Sequence, residues 1–177
     1  MKQELIAKTK VENNPMRKFK IEKVVLSAGA VGDDLMKEKK LLEFITGAKA
    51  QLITSSKRIP DFGVRPGLEV GTRVTIRGAK TTELLQRLLG AVENKIKKRQ
   101  VSENHFSFGI KEYIEIPGIP YQREIGIRGL NVTVVFIRAG FRVKRKKIKR
   151  GTVPQKQYIT KEEIKKFMED NFKVKFV

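Results

Sequence analysis

Between Ile125 and Lys161 the chain carries 11 Lys or Arg and no Asp or Glu. Seven of these cations fall in one run of nine, Arg142-Val-Lys-Arg-Lys-Lys-Ile-Lys-Arg150. Like charge at this density cannot enter an interior, and it is costly to hold together unless a polyanion neutralises it. The run therefore belongs at the surface, and the core must be built from other segments. Each Lys or Arg that meets a phosphate releases condensed counterions, the main sequence-independent drive for nucleic-acid binding. The excess recurs in Lys95-Ile-Lys-Lys-Arg99 and across the whole chain, where 39 Lys plus Arg against 19 Asp plus Glu leave +20 over 177 residues. A field of that size steers anions and speaks to partners rather than to fold. Anionic lipid or a solvated face would also accept a short basic run. Recurrence along the chain favours nucleic acid.

Hydrophobic residues make up 40% of the sequence, enough for one core. The length fits a single domain over 1–177, with a basic extension at 142–160 and a terminal helix and tail at 161–177. Cys and Trp are absent, which excludes thiol catalysis, thiolate zinc sites and disulfides, and suits a reducing cytoplasm. The N-terminus reads as no signal peptide. No apolar window approaches the length of a membrane span, so no membrane partner is expected.

Along the chain, residues 2–12 read as a short helix that Asn13-Asn-Pro15 interrupts. Phe19 to Ala28 reads as a strand, followed by a Gly-bearing turn and a helix that Asp33 or Asp34 caps and Gly47 ends. Leu35, Leu42 and Ile45 share one face of that helix. Gln51 to Ser55 is a short strand. Ile59 to Gly71 holds two Pro and three Gly in 13 residues, a long loop or hairpin tip. Val70 to Arg77 alternates strictly, placing Val70, Thr72, Val74 and Ile76 on a core and Arg73, Thr75 and Arg77 on the other face. Thr81 or Thr82 opens a helix with Leu84, Leu85, Leu88, Leu89 and Val92 inward, running out into Lys95–Arg99, where cations suit the helix dipole. Phe106 to Ile116 and Leu130 to Arg138 are strands, with a turn at Pro117–Tyr121 between them. Thr160-Lys-Glu-Glu163 is a capping box, and Ile164, Phe167, Met168 and Phe172 give the last helix one apolar face. The order predicts an α+β fold: a mostly antiparallel sheet with helices packed on one face, a long basic loop and a basic C-terminal extension.

Chemistry is sparse. His105 is the only histidine and has no paired nucleophile or carboxylate at useful spacing, so a solvent-facing position suits it better than catalysis. One His with scattered carboxylates makes no metal site. Gly29-Ala-Val-Gly32 lies between strand and helix but lacks a complete phosphate-loop pattern, and a tight turn accounts for it. No catalytic residue, cofactor or metal is expected. Phe106 and Phe108 share one strand face, where rings either stack on bases or fill a core. Phe62 and Tyr121 fall in loops, where packing does not explain a ring. Arg73, Thr75 and Arg77 are spaced to meet successive phosphates. The 142–150 run fits a segment that is disordered alone and folds against RNA.

Several segments, in order and spacing, resemble the universal large-subunit ribosomal protein five family. They are Asn14-Pro-Met-Arg17, Ile21-Glu-Lys-Val-Val25, Leu42-Glu-Phe-Ile-Thr-Gly47, Phe62-Gly-Val-Arg65 with Gly67, Val74-Thr-Ile-Arg-Gly78, Phe106-Ser-Phe-Gly-Ile-Lys-Glu112 and Ile125-Gly-Ile-Arg-Gly129. Gly140-Phe-Arg-Val143 and the basic tail are similar to its archaeal and eukaryotic branch. The resemblance implies a structural RNA binder in the central protuberance of the large subunit, within the cytoplasmic ribosome. The implied partners are 5S ribosomal RNA, large-subunit ribosomal RNA, P-site transfer RNA, neighbouring large-subunit proteins and a small-subunit head protein across an inter-subunit bridge.

By position the resemblance assigns 5S contact to Asn14, Arg17, Lys23, Thr54, Lys57 and Arg58. The cations Arg73, Arg77, Arg142, Lys144 and Arg145 join them as ribosomal-RNA candidates. Phe62, Gly63, Val64, Arg65, Pro66 and Gly67 form the implied transfer-RNA loop. Three departures stand out: Arg128 where a Tyr is usual, Ala139 in place of Pro before Gly140, and Ser27-Ala28 in place of an Asn- or His-containing pair. Arg128 reads as a further phosphate contact. A free-standing RNA-binding or processing factor is the competing reading, and an enzyme acting on nucleic acid lacks both a metal cluster and a nucleophile–base pair.

Overall fold

The computed structural model describes residues 14–177, so the short helix expected over 2–12 lies outside the described residues. Strand β1 (Phe19–Gly29) leads into helix α1 (Asp33–Thr46), β2 (Gln51–Thr54), β3 (Glu69–Ile76) and α2 (Lys80–Gly90). Short strands β4 (Lys95–Ile96) and β5 (Val101–Ser102) follow, then β6 (His105–Ile110), β7 (Leu130–Arg138), α3 (Lys161–Phe172) and β8 (Lys175–Phe176). Six strands form one sheet in the order β2-β3-β1-β7-β6-β5, every neighbouring pair antiparallel. β4 and β8 pair in parallel as a separate ribbon. This is the α+β architecture that the alternating segments predict.

Alternation in β1 and β7 decides which side is the core. Val24, Leu26 and Ala28 of β1, with Leu130, Val132, Val134 and Phe136 of β7, are buried. Leu41, Leu42 and Ile45 of α1, Leu84, Leu85, Leu88 and Leu89 of α2, and Ile164 and Met168 of α3 join them in one cluster. Phe106 and Phe108 belong to it too, at 1% and 3% exposure. Their rings stack 6.0 Å apart, and Phe106 lies 5.9 Å from Phe136. They are therefore core residues and cannot stack on a base, which removes that reading of β6.

Boundaries moved where backbone conformation overrode composition. Gly32, at φ 69°, carries the chain into α1 without a side-chain cap, so Asp33 and Asp34 sit in the first turn rather than capping it. They still favour the helix dipole there. Gly47 ends α1 in the left-handed conformation, its N–H donating to the Glu43 carbonyl at 2.8 Å. α2 starts at Lys80, because the turn at Gly78 lets the Thr81 N–H donate to the Gly78 carbonyl at 3.1 Å before either threonine can cap. It stops at Gly90, since Glu93 and Asn94 take φ 52° and 56°, values a right-handed helix cannot continue. The Lys95–Arg99 cations thus leave the helix and enter β4 and a 3-10 turn. β6 ends at Ile110, short of the expected Ile116. There Gly129 crosses so closely that a Cβ on it would lie 2.7 Å from the Lys111 carbonyl oxygen.

Helix α3 carries the expected capping box: the Thr160 hydroxyl accepts from the Glu163 N–H, and the Glu163 carboxylate accepts from the Thr160 N–H at 3.0 Å. The same carboxylate takes two 2.6 Å bonds from Arg138, which is only 4% exposed. Burying Ile164 and Met168 contributes about 2 kcal/mol each. A buried ion pair contributes little net but costs about 3–5 kcal/mol when one partner is removed. Apolar burial therefore docks α3, and the pair fixes its register on β7. Glu163→Ala is expected to destabilise by about 3 kcal/mol or more in denaturant unfolding, whereas Arg138→Met with Glu163→Leu loses less than either single change. A double variant as weak as the sum of the singles contradicts this.

Candidate nucleic-acid interface

All three helices pack into one core cluster with the inward residues of the sheet, and the outward residues Arg73, Ser107 and Asn131 are exposed. Cross-strand register sets Gln51, Arg73, Ser27, Asn131 and Gly109 in one row across five strands. Thr75, Val25, Thr133 and Ser107 form the next row. Lys23 and His105 flank Val135 in a third. Arg77 follows β3 directly and is exposed. No Asp or Glu stands in these rows. Arg73 donates from Nε to the Gln51 side chain at 3.2 Å, which steadies its guanidinium against the sheet. The predicted pair Arg73 and Arg77 and the family-derived Lys23 thus meet on one surface. A β-bulge between Ile21 and Lys23 turns Lys23 outward. Sequence reasoning missed Ser27, Ser107, Asn131 and Thr133 here. Alternation in β7 holds a signal for Asn131 and Thr133, but only pairing shows what they stand beside.

The segment between β2 and β3 is a braced hairpin extension. Ser55 and Leu68, then Gly67 and Ser55, share backbone bonds of 2.8 and 2.9 Å. Ile59 and Val64 exchange bonds of 2.9 and 3.0 Å. The Ser55 hydroxyl donates to the Lys57 carbonyl at 2.8 Å, fixing the base where Lys57 and Arg58 project. Gly63 and Gly67 take φ 63° and 86°, which side chains rarely adopt, so both glycines are required by the turn itself. Phe62 is 73% exposed, and Arg65 and Pro66 are exposed beside it. Val64 is only 4% exposed, so its side chain packs inward and offers a partner nothing but backbone. Thr54 ends β2 in the open. Asn14 caps a 3-10 turn (Pro15–Arg17) through a 3.0 Å bond from the Met16 N–H, leaving Arg17 exposed.

The basic run lies against the body. Phe141–Arg145 forms a 3-10 helix. Lys144 donates to the Tyr158 hydroxyl at 2.8 Å and sits over the Phe141 and Tyr158 rings. Both guanidinium Nη atoms of Arg145 reach the Glu22 carboxylate. Arg142 is exposed, while Lys144 and Arg145 already hold internal partners.

Arg128, read from the sequence as a further phosphate contact, is held by acids within the fold. Its Nη2 pairs with Asp34 at 2.5 Å, its Nη1 lies 3.8 Å from Glu38, and its Nε donates to the Ile125 carbonyl at 3.4 Å. The Arg128 guanidinium holds the Asp34 carboxyl below its ordinary value. Burial pushes the Glu38 carboxyl up, and Arg128 opposes that rise. This arginine compensates a buried acid.

His105 is exposed, its Nδ1 3.0 Å from the Glu103 carbonyl. Among the described residues no three His, Asp or Glu gather to hold a metal, and no helix is long and apolar enough to cross a membrane. Paired rows that carry cations and no acid suit a structural polyanion-binding protein. Residues 69–170 match the family described as ribosomal L5P family C-terminus. The chain is 40% identical to the large ribosomal subunit protein uL5 of Sulfurisphaera tokodaii, over 93% of this chain and 95% of that one. It is 41% identical to that of Nanoarchaeum equitans, over 93% and 99%, and 37% identical to that of Methanobrevibacter smithii, over 93% and 98%. The chain belongs to the ribosomal L5P family, in its archaeal-type branch. That family is structural, so the protein is not an enzyme, and its place is the cytoplasmic ribosome.

Arg128→Ala is expected to leave RNA affinity and its salt slope unchanged while lowering stability by about 1–3 kcal/mol at neutral pH. The loss shrinks as pH falls towards the ordinary carboxylate range, because a protonated Glu38 buries no charge and Asp34 no longer needs its partner. Thermal melts across pH, with filter binding alongside, check both halves.

Proposed function

We propose that this protein is a structural constituent of the large ribosomal subunit that binds 5S ribosomal RNA and large-subunit ribosomal RNA in the central protuberance. The observation that carries the reading is the outward sheet face, where Lys23, Arg73 and Arg77 stand on paired rows that contain no acid, the neighbouring Glu22 being held by Arg145. Phosphate contacts position a protein on RNA, and each one adds to the salt dependence of binding. Asn14, Arg17, Thr54, Lys57, Arg58 and Arg142 are exposed and add further cationic and polar groups to the proposed interface. Lys144 and Arg145 join it only by giving up Tyr158 and Glu22.

The braced loop at Phe62, Gly63, Val64, Arg65, Pro66 and Gly67 is the proposed contact to P-site transfer RNA. One exposed cation and one exposed ring at a rigid tip read backbone and shape, which a surface that accepts every transfer RNA requires. Neighbouring large-subunit proteins and a small-subunit head protein across an inter-subunit bridge complete the proposed partners. A free-standing RNA-binding or processing factor would be substoichiometric in salt-washed large subunits. Stoichiometric recovery there is the result expected of a constituent.

Lys57→Ala with Arg58→Ala is expected to weaken 5S binding and to shrink the salt slope by about one unit per lost contact. An unchanged slope removes both residues from the interface. Arg65→Ala is expected to leave 5S affinity intact and to speed loss of P-site transfer RNA from assembled ribosomes. A 5S defect in that variant contradicts the division between sheet and loop.

A further inference from the structure

We infer that Glu22 is an internal latch: its carboxylate stands in for a phosphate and holds the 141–150 basic run against the body until RNA displaces it. This rests on the RNA-binding function proposed above, and it adds a control on when the basic run becomes available. The two Nη atoms of Arg145 reach the two Glu22 carboxylate oxygens, the fork geometry by which arginine also takes phosphate. Lys144, one residue earlier, is occupied as well: it donates to the Tyr158 hydroxyl at 2.8 Å and lies 5.3 Å from the centre of that ring. Among the described residues, Glu22 is the only acid that pairs with any of the seven cations in the run.

The strand is built to aim this acid. Glu22 falls in the bulge between Ile21 and Lys23, so no residue of β7 stands opposite it, while Ile21 and Lys23 pair with Phe136 and Val135. A bulge re-aims a side chain that a regular ladder would place by alternation. The Glu22 side chain is 13% exposed against 45% for Arg145, so the acid is the fixed half of the pair and the arginine the movable half. The loop that carries Arg145 is pinned at both ends by contacts that do not involve the pair. The Gln157 side chain donates to the Ala139 carbonyl at 3.2 Å, and the Phe141 and Tyr158 rings meet edge-on at 5.5 Å. Beyond them the buried Ile159 donates its N–H to the Asn104 side chain at 2.8 Å. Breaking the pair therefore frees the middle of the loop and leaves its ends in place. An exposed ion pair changes an equilibrium constant by up to about fivefold, so it closes the run without locking it. Any RNA that uses Arg145 binds more weakly by the strength of that one pair.

The test is a double-variant cycle on the full chain: wild type, Glu22→Gln, Arg145→Ala and both changes together, each titrated against 5S ribosomal RNA across a salt series. Glu22→Gln is expected to tighten binding about threefold and to steepen the salt slope by about one unit, since one more cation reaches phosphate. In the Arg145→Ala background the same change is expected to do nothing. A gain that persists without Arg145 makes Glu22 a repulsive charge and overturns the latch, as does no gain in the wild-type background; the RNA-binding function stands in both cases. Wild-type protein that fails to bind 5S RNA overturns that function and the latch with it. Limited trypsin digestion of the free protein reads the closed state without RNA. Glu22→Gln and Arg145→Ala are each expected to speed cleavage between Lys146 and Arg150 about threefold, with cleavage elsewhere unchanged. Unchanged cleavage of the run in both variants overturns the latch.

Discussion

Strand β1 is paired along both edges, to β3 and to β7, and its alternation assigns the two sides of the whole sheet. Val24, Leu26 and Ala28 turn inward under three helices, while Lys23, Val25 and Ser27 turn outward. A slip of one residue would exchange the two sets and turn Lys23 into the core. The cost of that exchange holds the register, and the register holds the outer face. Arg73 beside Ser27, and Ser27 beside Asn131, are consequences of how Leu26 meets Val74 and Val132. The core thus positions an outer face that contributes little to stability itself.

Much of this was legible in the sequence because it depends on local period. Alternation from Val70 to Arg77 gave β3 and its outward arginines, Gly47 marked the end of α1, and Thr160 with Glu163 marked the start of α3. Properties set by distant chain were hidden. Phe106 and Phe108 fit a stacking platform or a core equally well until β7 pairs with β6 and sets their side. Arg128 looked like a surface cation because its partners, Asp34 and Glu38, lie about ninety positions earlier. Glu93 and Asn94 stop α2 by taking left-handed backbone, which their side chains tolerate but do not announce. The uncharged half of the open face was invisible for the same reason: Ser107 and Thr133 become neighbours only through register.

The distribution of charge divides the cations by task. Arg128, Arg138 and Arg145 face acids within the fold and hold α1, α3 and the basic run in place. Lys23, Arg73 and Arg77 border the open sheet, and Lys57, Arg58 and Arg65 stand on the braced hairpin. Arg128 and Arg138 contribute through burial, where removing one partner is expensive, whereas Arg145 makes its pair at the surface. The second group contributes through released counterions, and its contribution fades with salt. A protein that worked by charge alone would not need the rigid, flat surface that β1, β6 and β7 maintain.

That difference makes a salt series the most direct test. Pure protein would be titrated by filter binding against 5S ribosomal RNA and a size-matched unrelated RNA at rising salt. The account predicts that both affinities fall but that preference for 5S persists at high salt, because shape and neutral contacts survive screening. Equal affinities that collapse in parallel would contradict it.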